Sequence, residues 1–160
     1  MQYMRRAAAI TAFVFAASTP GFAVGPAELT GIWVTDDGLG AVEFAACGGS
    51  MRCGHIVWIK DPLDKDGHPI RDTKNPDPVA REKPLCGAEI VKNLKHQDDG
   101  SWDEGTVYDP GEGKSYSVAI KVLPDGNLEV TGYMGTKLLS ETMIWPHSPA
   151  NLTKCSKIKG

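Results

Sequence analysis

The chain has 160 residues, a formal charge of −3 and four cysteines. Its size allows one domain with one hydrophobic core. No basic cluster is present that could neutralise several phosphates, and no aromatic residue is interleaved with Lys or Arg, which excludes a nucleic-acid binder.

The first residues read as an export signal. MQYMRR supplies a cationic start, AAAITAFVFAAS an apolar stretch, and Gly21-Phe22-Ala23 a small-x-small cleavage site. The apolar stretch is shorter than the roughly 20 residues a membrane-spanning helix needs. Cleavage after Ala23 is expected, leaving residues 24–160 as a single exported domain in the periplasm or outside a bacterial cell. Losing Arg5 and Arg6 makes that domain more acidic than the whole chain. It contains no second hydrophobic run of membrane length, so it is expected to be soluble.

Short runs of β-branched and aromatic residues then alternate with turn signals. The predicted strands are 31–35, 41–46, 53–60, 85–94, 102–108, 114–123, 128–133 and 138–145. The turns between them carry Asp36-Asp37-Gly38, Gly48-Gly49, Asp98-Asp99-Gly100, Asp109-Pro110-Gly111, Pro124-Asp125-Gly126 and Gly135. Glycine accepts positive φ, and Asp bonds locally to the turn backbone. Nothing reads as a Greek-key crossover. The expected fold is all-β, an antiparallel up-and-down barrel of about eight strands that closes to remove its edges.

Residues 61–84 break the pattern. The stretch DTKNPDPVAREKPLCG, 72–87, holds three prolines and mixed charge and shows no period of 2 or 3.6. Asn75 and Asp77 precede prolines and are held to extended backbone. So long a loop is expected to be ordered against a barrel face or mouth, and to carry function.

An even cysteine count in an exported chain points to disulfides. Cys47 and Cys53 flank a turn, Cys86 starts a strand, and Cys155 lies in the C-terminal tail. The expected pairs are Cys47–Cys53 and Cys86–Cys155. The spacings do not match a zinc site.

Catalytic patterns are missing from the sequence: no G-x-S-x-G, no H-E-x-x-H and no phosphate-binding glycine loop. His55, His68, His96 and His147 are scattered among turns and charged residues. The chain is therefore expected not to be an enzyme and to need no cofactor or metal. An EF-hand fails at both ends, because aligning Gly67 at position 6 puts Pro62 at position 1 and Thr73 at position 12. A looser oxygen site from Asp61, Asp64, Asp66 and Asp72 competes with a plain Asp-Gly turn, and the turn is the expectation. Within a barrel, large aromatics fill the core or line the lumen. The lumen candidates are Trp33, Trp58, Tyr108, Tyr116, Tyr133 and Trp145.

Leu29-Thr30-Gly31-Ile32-Trp33 resembles the G-x-W that opens lipocalin-like barrels. CGGSMRCGHIVWIKDP, DTKNPDPVAREKPLCGAEIV, WDEGTVYDPGEGKSYS and LEVTGYMG follow in an order that resembles the exported bacterial family called domain of unknown function 2147. The likeness covers 29–145 and is most specific in K-N-P-D-P (Lys74, Asn75, Pro76, Asp77, Pro78) and Y-D-P-x-x-G-K-x-Y. It implies a small barrel related to lipocalins and fatty-acid-binding proteins, and no established activity. The chain departs from the family pattern in its last strand. Ser140-Glu141-Thr142 and Pro146-His147 replace an Arg before the Trp and a basic residue after it, which weakens the case for a Trp-on-Arg stack at the closed end. Two functions follow as expectations: a carrier of a small hydrophobic or amphipathic ligand in the lumen, or a protein-interaction or envelope-stress module acting through the 61–84 loop on a filled barrel.

Overall fold

The computed structural model describes residues 28–155, so the expected signal segment lies outside the described residues. Eight strands form one sheet in strict chain order: β1 (Gly31–Val34), β2 (Gly40–Gly48), β3 (Met51–Ile59), β4 (Glu89–His96), β5 (Trp102–Asp109), β6 (Lys114–Val122), β7 (Leu128–Met134) and β8 (Thr136–Trp145). Every neighbouring pair is antiparallel. The expected strand set and meander are therefore present. The one added element is a single-turn helix, α1 (Pro78–Arg81), inside the long β3–β4 loop. Asp77 caps it, with φ −82° and ψ 117° and its side chain accepting from the Val79 N–H.

The sheet curls so that β1 approaches the chain just beyond β8. Val34 N–H donates to the Pro146 carbonyl and Ser148 N–H to the Ile32 carbonyl, both at 2.9 Å. The chain order puts the β2–β3, β4–β5 and β6–β7 turns at one end and the long loop at the other. The first end is plugged. Leu29 is fully buried, Trp33 Nε1 donates to the Gly126 carbonyl in the β6–β7 turn at 2.9 Å, and Trp33 meets Phe44 edge-on at 5.8 Å.

Inward positions alternate along β6 and β7 as the pleat requires. Val42 and Phe44, Val118 and Ile120, and Leu128 and Val130 join Leu94, Trp102 and Trp145 in one continuous core. Both expected disulfides form. Cys47–Cys53 spans the β2–β3 hairpin, and Cys86–Cys155 ties the loop exit to the C-terminal tail.

Candidate functional site

The long loop is organised by its own backbone. Ile70 N–H bonds to the Pro62 carbonyl and Leu85 N–H to the Ile70 carbonyl, while Arg71 pairs with Glu82 at 2.7 Å. The chain thus zips back on itself and presents Asp72–Pro78 to the barrel. Asp64 accepts the backbone N–H groups of Asp66 and His68, both at 2.9 Å, and the His68 bond chiefly holds its carboxyl below the usual range. This is the polar Asp-Gly turn. Among the described residues no three His, Cys, Asp or Glu side chains converge to hold a metal ion.

Asp72 is 6% exposed, the one charged residue in the buried set. A carboxylate leaves water at a high cost unless hydrogen bonds replace its hydration. Here both oxygens are engaged: Oδ1 accepts from the Tyr108 hydroxyl at 2.9 Å and Oδ2 from Asn75 Nδ2 at 2.7 Å. Burial, then the bond to Asp72, pushes the Tyr108 phenol up to about 12. Two residues on, the Lys74 ammonium bonds to the Gly111 carbonyl, and the Lys74 carbonyl lies against Gly113 in the β5–β6 turn. The K-N-P-D-P segment and the Y-D-P-x-x-G-K segment, distant in sequence, are thus clasped together.

Between loop and sheet runs a cleft of about 630 Å³, walled by Asp72, Asn75, Lys83, Glu89, Lys92 and Tyr108. Ala80, Pro84 and Ala88 add apolar surface to it. Glu89 sits 3.5 Å from His55 and 3.9 Å from Lys92, so charges of both signs edge the opening. A smaller hollow of about 490 Å³ lies within the loop beside Asp64, His68 and Arg71.

The six aromatic candidates divide by face. Trp33 and Trp145 are buried in the core. Tyr116 pairs with Val107, which in turn pairs with the fully buried Val91, so it faces inward; its hydroxyl donates to Glu112 at the rim. Tyr108 pairs with Ser115, packs against the margin of the core and reaches the loop through its hydroxyl on Asp72. Tyr133 alternates away from Leu128 and Val130, and its hydroxyl donates to Asp103 at 3.0 Å on the outer surface. Trp58 follows a bulge at which Ala41 pairs with Trp58 and Val42 with Ile56; its neighbour Ile59 packs on the core instead. Pairing and bulges turn Tyr133 and Trp58 away from the inner face, whereas Tyr108 touches the margin of the core.

Sequence reasoning passed over Arg52. Its guanidinium lies 5.0 Å from the centre of the Trp102 ring, which also meets His96 edge-on at 5.1 Å. A Trp-on-Arg stack exists at the plugged end after all, supplied by β3 and β5 rather than by the last strand.

The model of a family described as an uncharacterised protein conserved in bacteria (DUF2147) matches residues 31–147. Among solved structures, the chain is similar to protein HP1028 of Helicobacter pylori, described as belonging to the lipocalin family. The TM-score is 0.67 and the identity 23%, over 77% of this chain and 84% of that one. No curated protein matches.

Proposed function

We propose a ligand-binding role outside the cytoplasm, from the premise that this chain belongs to the DUF2147 family of bacteria and has a lipocalin-like fold. Two disulfides support export, as does the signal pattern at residues 1–23. Among the described residues no helix is long and apolar enough to cross a membrane.

The observation that carries the reading is the cleft between the loop and β4–β5. Its volume falls in the range of small-molecule sites, and its mixed lining of Ala80, Pro84 and Ala88 beside charged residues suits a small amphipathic molecule. The packed aromatic core at the plugged end favours the cleft over the deep lumen as the seat of that ligand. Catalysis is not part of the proposal. Asp72 spends both oxygens on Tyr108 and Asn75, and a phenol near 12 is far from the neutral range where general acids and bases work.

A native mass spectrum of freshly purified protein tests this. A bound small molecule is expected, and Ala80→Trp, which fills the cleft, should lower its retention about tenfold with an unchanged melting temperature. Retention equal to wild type in that variant would move the ligand out of the cleft.

A second reading keeps the loop as a docking site for another protein, since Val79 on α1 is 65% exposed at its crest. In a pull-down, Val79→Asp would then release the partner while leaving small-molecule retention untouched.

A further inference from the structure

The last described residue is tied to the wall of the cleft. Cys86 is among the residues that line the cleft, and its disulfide partner Cys155 stands 6.2 Å away, Cα to Cα. The residue before it is fastened as well, since the Lys154 ammonium reaches both carboxylate oxygens of Glu43 at 2.7 Å. Ser156-Lys157-Ile158-Lys159-Gly160 lie outside the described residues and start from this fixed point. Five residues extend to about 16 Å, enough to cross a cleft of about 630 Å³.

We propose that residues 156–160 fold back into the cleft as its tethered occupant. On the ligand-binding reading above, on which this consequence rests, they compete there with the small molecule. Charge and pattern both fit. The carboxylates of Asp72, Asp77 and Glu89 line the cleft, against the two lysines Lys83 and Lys92. Asp72 is buried and spends both oxygens on Tyr108 and Asn75, so it offers nothing to an incoming group. Asp77 gives one oxygen to the Val79 N–H, and Glu89 meets only His55 and Lys92, at 3.5 and 3.9 Å. These two acids retain capacity for a cation. The segment brings Lys157 and Lys159 and no acidic side chain. In an extended chain those lysines point one way and Ile158 the other. Ile158 then covers the apolar surface of Ala80, Pro84 and Ala88 while the lysines meet Asp77 and Glu89. A short tether supplies an effective concentration of order millimolar, so contacts too weak to hold a free peptide suffice.

Zero-length carbodiimide crosslinking of the purified protein, mapped by peptide mass spectrometry, tests the docking. A link from Lys157 or Lys159 to Asp77 or Glu89 is expected, and Ala80→Trp, which fills the cleft, should remove most of it. The neutral dye Nile red reads the competition. A chain cut after Cys155 keeps both disulfides and should bind the dye about tenfold tighter than the full chain. That is the change expected if the segment fills the cleft about nine-tenths of the time. Lys157→Glu combined with Lys159→Glu in the uncut chain should do the same. Thermal melts check that each variant is folded. Absence of the link, or a link that survives Ala80→Trp, overturns the proposal. Equal dye binding by the cut and full chains does so too, where Ala80→Trp shows the dye to sit in the cleft. If no small molecule enters the cleft of either chain, the ligand reading fails and the crosslink alone decides the docking.

Discussion

The carbonyl oxygen of Lys74 lies where a β-carbon on Gly113 would sit only 2.3 Å from it. Gly113 also has φ +70°, a conformation costing an L-residue about 1–2 kcal/mol before any clash. Gly113→Ala should therefore destabilise the protein by about 2 kcal/mol or more. The loop should also lift, becoming sensitive to limited proteolysis between α1 and Cys86. Gly126→Ala, with φ +85° and no heavy atom within 4 Å, should carry only the conformational part. Paired chemical denaturation curves measure the difference between strain and displaced loop.

Tyr108 predicts a pH dependence. Below pH 10 its phenol is protonated in both folded and unfolded chains. Between pH 10 and about 12 the unfolded chain releases the proton while the folded one keeps it, so stability falls as pH rises through that window. Tyr108→Phe should flatten this alkaline decline relative to wild type. In an ultraviolet titration of the folded protein, the phenolate signal that appears last should vanish with the same substitution.

Asp72→Ala leaves the Tyr108 hydroxyl without its acceptor and should cost about 1–3 kcal/mol. Asp72→Asn keeps an acceptor oxygen and should cost less. Equal losses in the two variants, read from thermal melts, would show that shape rather than hydrogen bonding holds the loop down.

The two disulfides should differ in worth. Cys86 and Cys155 are 69 residues apart, Cys47 and Cys53 only 6. Loop-closure entropy assigns the long bridge about 4 kcal/mol and the short one about 2 kcal/mol. Double Cys→Ser replacement of each pair, compared by urea denaturation, checks the order.

Arg52→Gln should cost about 1 kcal/mol, as the ring of Trp102 loses its cation. Trp102 is nearly buried, so a change in tryptophan emission confined to this variant would report the lost stack.

What the sequence made legible was local. Asp-Gly and Pro-Asp-Gly turns marked the hairpins, and alternation in 115–122 and 128–134 marked two strands whose inner faces hold Val118, Ile120, Leu128 and Val130. Face assignment failed where parity breaks without a glycine to announce it. Asn93 and Glu104 adopt φ of 58° and 61° as non-glycine residues at irregular pairings in β4 and β5, and Val57 occupies the bulge ahead of Trp58. The helix α1 was signalled by Asp77-Pro78, a cap followed by a first-turn proline, but one turn has no periodicity to detect. The contact of Asp72 with Tyr108 had no sequence signal, because a buried carboxylate is recognised only by the partners folding brings to it. Arg52 sat in a hairpin whose neighbouring cysteines drew the reading toward a bridge.

The nearest-neighbour order of the sheet has a consequence for how the chain matures. Each strand from β2 to β8 can add to the one before it as soon as it emerges, with no earlier segment held open to wait for a later one. A chain threaded through a membrane pore from its N-terminus could build most of this sheet in transit. Three contacts must wait for the end: Val34 on Pro146, Trp33 on His147, and Cys86 on Cys155. Plugging one end of the barrel and fastening the loop's exit are thus closing steps of a single event, which waits for the tail.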